Sequence, residues 1–363
     1  MKYLAISFLA FALACQPSKR SDKTSRVVTI DSSFNELFSP QGNAFTGGDG
    51  VYSVQLPDQR NVWIFGDSFL GNVTEDRKRI KTSPLYVRNC FVVQDEENLK
   101  TLTQGKLSDF KSMMIPPEVV DGTSGKDEIG IWYWPGDAFV EEQSLFVFNS
   151  KFIKTADDMW GFEFAGTELI EFSLPDLEQT KITQFENLNG IHFGHAICNT
   201  ADYTYVYGAK DKLPYVARAK SGAIYEDWNF WNGAEWEVSS KDAKPILKQT
   251  GSEQFSVFEW AGQFVMIMQG DSLSQKIYSY TAEKPEGPWL NRKIIYETPI
   301  VGNCESCWTY NALGHPQFII NDMLLVSYNT NSMELQDHYD NADIYKPRFI
   351  RVPMENILDS KSR

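Results

Sequence analysis

The chain has 363 residues, 42% of them hydrophobic and 14% aromatic, enough to bury a large core. Its formal net charge is −14. A nucleic-acid binder needs a basic stripe to displace counterions from phosphate; the sequence carries none, so that class of partner is excluded.

The N-terminus reads MKYLAISFLAFALAC. Lys2 leads an apolar run, Tyr3 to Ala14, too short to cross a bilayer as a stable helix. Residues 1–14 therefore read as a signal peptide. Ala12-Leu13-Ala14-Cys15 resembles a bacterial lipoprotein box, with Ala12 in place of the usual leucine. That resemblance implies lipidation of Cys15, and several acyl chains anchor a protein firmly. Gln16 follows, not the aspartate associated with inner-membrane retention. The expected address is the outer membrane of a bacterial cell envelope, facing the periplasm or the outside. Residues 15–26 are polar and read as a lipidated cysteine with a flexible tether. A single domain is expected over residues 27–363.

Five times the rest of the chain repeats one pattern. A small residue precedes an acid or histidine, an apolar strand follows, and after a turn comes an aromatic-rich strand ending in a polar residue. The copies begin at Gly48-Asp49, Gly136-Asp137, Gly194-His195, Ser252-Glu253 and Gly314-His315. A period of roughly sixty residues built only from strands predicts an all-β, five-bladed β-propeller. Further strands are expected at Leu85 to Val93, Thr167 to Phe172, Pro214 to Ala219, Ile277 to Thr281 and Arg348 to Val352. The interval from Asp49 to Asp137 is much longer than the others, with its surplus near residues 72–82 and 96–130. Within 96–118 a short helix is expected to end at Pro116-Pro117. Arg77-Lys78-Arg79 and Lys81, beside Glu75 and Asp76, read as a solvated insertion.

The first hairpin carries the chemistry. Its turn centres near Asp58 and Gln59, which sets Asp49 opposite Asp67 or Ser68. Directly opposed residues of an antiparallel pair have Cβ atoms about 4.5–5.5 Å apart. Two adjacent carboxylates cannot both ionise comfortably and so divide into an acid and a base, the pair that glycoside hydrolysis uses. Asp49 and Asp67 are the catalytic candidates. Asp137, His195, Glu253 and His315 are the equivalents of Asp49 on the other blades and are expected to orient a sugar. Trp134 and Trp308 are placed to stack on it, and Asn331 to bond its hydroxyls.

Cys304-Glu305-Ser306-Cys307 is expected to close a small disulfide in an oxidising compartment. His192, His195 and His315 include no short-spaced ligand pair, so zinc is not expected. An ion or water on the propeller axis stays open. No cofactor and no metal are otherwise expected, and the chain reads as a monomer.

The run GGDGVYSVQLPDQRNVWIFGDSFLG, with YNALGHPQF and EKPEGPW, resembles a five-bladed propeller family first catalogued as a domain of unknown function. Some members are endo-D-arabinanases. The resemblance spans about Phe45 to Asn331 and implies a glycosidase-like protein whose acidic pair falls on Asp49 and Asp67. The insertion at 96–130 departs from the family, as does Ser68 where threonine is common. In five-bladed glycosidases related to arabinanases, acids start the inner strands of different blades; by position that scheme names Asp49, Asp137 and Glu253. The function implied is an exported, lipid-anchored glycoside hydrolase acting on a poly- or oligosaccharide, arabinan-like substrates included. The alternative is a non-catalytic glycan-binding surface lipoprotein.

Overall fold

A computed structural model describes residues 26–358, apart from 40, 41, 43, 107, 108, 159, 272 and 300–303. The expected signal peptide, Cys15 and nearly all of the tether lie outside the described residues.

The described residues form a five-bladed β-propeller. Blade 1 runs outward through Tyr52–Gln55, Asn61–Phe65, Cys90–Asp95 and Asn98–Leu102. Blade 2 comprises Ile131–Glu141, Ser144–Lys154, Phe162–Ser173 and Glu178–Phe185. Blade 3 adds a fifth strand: His192–Asn199, Tyr203–Lys210, Leu213–Lys220, Asn229–Trp231 and Trp236–Glu237. Blade 4 is Gly251–Trp260, Gln263–Gly270, Lys276–Ala282 and Leu290–Glu297. Blade 5 is Cys307–Ile320, Met323–Ser332 and Pro347–Pro353, and its outermost strand is Thr29–Ile30 from the start of the domain.

That exchange closes the ring. Thr29 pairs with Arg351 and Ile30 with Ile350. Asp31 then caps the helix Ser32–Leu37, its Oδ1 accepting from Phe34 N at 3.0 Å, while its Oδ2 accepts from Arg351 Nε at 2.6 Å. Side chains alternate across each strand, so each sheet buries apolar residues on both faces against its two neighbours. Blade 1 offers Tyr52, Val62, Ile64 and Phe91 to blade 2. From its other face, Trp63, Phe65 and Val92 pack with Leu325 and Phe349 of blade 5.

The surplus after blade 1 is organised differently from expectation. Residues 98–102 are the blade's own outer strand, not an insertion. A small hairpin follows, Gln104–Lys106 with Asp109–Lys111. Pro117 begins a helix, Pro117–Val120, where Pro116-Pro117 was expected to end one. The first helical position needs no amide hydrogen, so proline suits it. The 72–82 segment is also not uniformly solvated. Arg79 is 5% exposed and donates to the carbonyls of Thr46, His338, Ala342 and Tyr345. Arg77 pairs with Asp343 at 2.9 Å. The insertion thus clamps the segment between the second and third strands of blade 5 onto the end of blade 1.

Candidate active site

The ladder on either side, Gly48 with Ser68 and Tyr52 with Ile64, sets Asp49 opposite Asp67. Gly66 N donates to Asp49 O at 2.8 Å, holding the two strands together beside the acids. A Cβ at Gly66 would lie 2.6 Å from Asp49 Oδ1, so only glycine leaves that carboxylate where it is.

The two acids have different partners. Asp49 Oδ2 accepts from Tyr310 Oη at 2.5 Å, and Tyr345 donates to the same carboxylate. These donors are neutral. Burial, reinforced by the charge of Asp67, pushes the proton affinity of Asp49 up to about 7 despite them. Asp67 Oδ1 accepts from Trp134 Nε1 at 2.9 Å, and its Oδ2 lies 3.3 Å from Arg88 Nη1. Burial raises Asp67 too, but Arg88 and Trp134 oppose the rise. Arg88 is itself oriented over the Trp132 ring at 4.0 Å. Asp67 retains 24% of its side-chain surface, so the pair remains within reach of a ligand.

Asn331 supports this arrangement from behind. Its Nδ2 donates to Tyr310 Oη at 2.9 Å, and its Oδ1 accepts from His338 Nε2 at 2.8 Å. Trp308, paired with Asn331 across the hairpin, sits half-buried with its ring 6.0 Å from that of Tyr310. Trp134 is a donor to Asp67 packed among Trp132, Phe152 and Phe162, not a free stacking platform.

Two expected wall residues are engaged elsewhere. Asp137 Oδ1 accepts from Ala138 N and its Oδ2 from Ile197 N at 2.8 Å, tying blade 2 to blade 3. Its pKa also rises to about 7 through burial, but backbone amides occupy both oxygens. In the scheme of Asp49, Asp137 and Glu253, the blade 2 acid is therefore held in place by backbone amides while still lining the central cavity. His315 bridges Ser53 Oγ at 2.6 Å and Ser327 Oγ at 2.8 Å, so neither ring nitrogen is free. Both residues line a cavity of about 330 Å³ on the axis, among the later halves of the inner strands.

The fifth copy was out of phase. The bulge on blades 2 and 3 falls at Gly136-Asp137 and Gly194-His195. On blade 5 it falls at Asn311-Ala312, not at Gly314-His315, which pair regularly with Val326 and Leu325. His195 does occupy its bulge and is buried beside His192. Burial lowers its pKa to about 3 and that of His192 to about 4. Glu253 lies within the blade 4 bulge with its side chain open to solvent, yet crowded enough by neighbouring groups that partial desolvation raises its pKa. The neighbouring Gln254 reaches the strand segment that carries Asp49, its amide 3.6 Å from where a Gly50 Cβ would stand. The disulfide Cys304–Cys307 is formed, and Cys90 and Cys198 are buried thiols.

Sequence reading missed Tyr310, Tyr345 and Arg88. Tyr310 stands in YNALGHPQF immediately before the true bulge, a signal visible only once the fifth copy is correctly phased.

The family described as "Domain of unknown function (DUF5005)" matches residues 31–356. The chain belongs to this family. The match takes in the helix Ser32–Leu37 and all five blades apart from the closing strand Thr29–Ile30, as the resemblance of the first hairpin implied. Comparison with curated proteins finds no match. Among solved structures, the DUF5005 chain is similar to a candidate hydrolase from Bacteroides ovatus, with 23% identity, a TM-score of 0.77 and 90% of each chain covered. It is also similar to a point mutant of the GH43 protein BlXynB from Bacillus licheniformis, with 11% identity and a TM-score of 0.51. That match covers 90% of this chain and 54% of the other. At such identities the likeness speaks for the fold.

Proposed function

We propose that this DUF5005 protein is an exported glycoside hydrolase in which Asp49 is the general acid and Asp67 the nucleophile or water-activating base. The observation that carries the reading is the unequal environment of two opposed aspartates. Asp49 has only neutral donors and a pKa of about 7, so a large share of it still holds a proton at neutral pH. Asp67 faces a guanidinium and an indole N–H that favour its carboxylate. The proton of Asp49 passes to the departing glycosidic oxygen, while the charge of Asp67 meets the developing oxocarbenium centre or takes a proton from water. Trp308 supplies an aromatic face beside the pair. The GH43 protein built on a similar ring supports the substrate class by analogy only, because fold does not fix function.

A panel of pentose and hexose polysaccharides, arabinans included, with product analysis, tests this. Asp49→Asn and Asp67→Asn are each expected to lower turnover by about 10²–10⁴-fold, with glycan binding retained in Asp49→Asn. Binding without hydrolysis by the parent protein would replace the enzyme with the glycan-capture reading.

The reading includes a lipid anchor at Cys15. Metabolic labelling with a fatty-acid probe is expected to mark the parent protein and to fail for Cys15→Ala. Equal labelling of both would remove the anchor from the proposal.

A further inference from the structure

His192, His195 and Glu253 come together on blades 3 and 4 and take no part in the acid pair. His192 opens the inner strand of blade 3, and His195 lies in the bulge that follows. In a regular strand, residues three apart point to opposite faces. The bulge between Phe193 and Ala196 resets that alternation, and Gly194 takes φ +104° within it. A Cβ at Gly194 would strike the Phe148 side chain, so this turn admits little but glycine. The blade 4 bulge brings Glu253 to the same place. Each of the three residues offers one nitrogen or oxygen, and these atoms lie within 4.8 Å of one another.

A second observation points to a ligand. His195 is 6% exposed, and its Nε2 has no hydrogen-bond partner. Buried ring nitrogens are ordinarily satisfied, so an orphan among two other donors calls for an acceptor of its lone pair or a donor to it. The His192 ring is fixed in turn by Phe164, stacked with centroids 3.5 Å apart and 27° between planes. Lys212, whose charge acts on Glu253, is held by Asp271 at 2.7 Å.

We infer that His192, His195 and Glu253 form a binding site for a first-row divalent transition metal, with zinc the best match; this reverses the expectation from sequence, because the bulge makes His192 and His195, three residues apart, a short-spaced ligand pair. Two imidazoles and one carboxylate are the donors such an ion prefers, whereas calcium and magnesium take oxygen shells. Three protein ligands leave a coordination position open, as in zinc sites that engage an outside molecule. Glu253 is exposed, so that position is reached from solvent. An oxygen-rich ligand, such as vicinal hydroxyls or a carboxylate, fits there. A second grouping, Cys304, Cys307 and Asp337, does not compete, because its cysteines are joined as a disulfide. The metal site stands independently of the hydrolase reading.

Calorimetric titration of zinc chloride into the purified, tag-free protein tests it without any substrate. One zinc per chain is expected, with no displacement by a large excess of magnesium or calcium. Glu253→Gln sits at an exposed position and His192→Ala at a half-buried one, so both should fold; circular dichroism checks this. Each is expected to weaken binding by more than the roughly 10–100-fold that loss of an outer-shell partner costs. Cobalt in place of zinc should give a visible absorption band that both variants lose. Absence of saturable zinc binding by the parent protein overturns the site. So does unchanged zinc affinity in either folded variant.

Discussion

Asp49 and Asp67 are the same residue type one strand-width apart, and their neighbours alone make them different. The hydrogen bond from Tyr310 favours the ionised form of Asp49, while burial and the charge of Asp67 favour the protonated form more strongly. A general acid works only while protonated, so activity should fall as pH rises past about 7. Tyr310→Phe removes a donor to the carboxylate, which raises its proton affinity further. A hydrogen bond to a charged group contributes about 1.5–3 kcal/mol, so the alkaline limb of kcat/KM should move up by roughly one pH unit or more. A limb that stays in place would detach it from Asp49. The acid pair was legible in the sequence because a short turn fixes register and register fixes opposition. Tyr310, 261 residues from Asp49, was not, because only ring closure brings blade 5 beside blade 1.

At the scale of elements, bulges decide which side chains reach the middle of the ring. The Gly-His pair at 314–315 resembles the pair at 194–195 in sequence, yet one lies in a regular ladder and the other in a bulge. Local sequence does not distinguish them; the pairing partner does. The 72–82 insertion shows the same dependence. A run of basic residues is ordinarily a solvated surface, but here Arg79 meets carbonyls from two segments that converge only in the folded ring. Arg79→Ala would leave several buried carbonyls unpaired. It should lower the unfolding free energy by on the order of 3 kcal/mol in urea titration. It should also slow turnover, because Tyr345 O is one of the released acceptors and Tyr345 holds Asp49. Stability unchanged within error would show the clamp to be incidental.

Across the whole molecule, closure depends on a strand that arrives from the other end of the chain. Thr29–Ile30, the Asp31–Arg351 pair and the rings of Phe34 and Phe38 together seal blade 5 to blade 1. A chain starting at Ser39 loses all of these. Burial of one phenylalanine alone is worth about 1.5–3 kcal/mol, so its melting temperature should fall sharply in calorimetry. A chain starting at Arg26 keeps every one of those contacts and should melt like the parent. Equal melting of both truncations would mean that the ring closes without its terminal strand.

The sequence by itself determined the number of blades, the strand character and the opposed aspartates. Each of these follows from periodicity or from a turn of a few residues, and local interactions suffice to specify them. Only the tertiary structure decided which repeated polar residues gather around the axis, which bind the blades together, and which side chains hold the acids. Those outcomes depend on bulges and on a seam between residues hundreds of positions apart. Five copies of one pattern could be read along the chain, but their unequal roles arise only where the last blade meets the first.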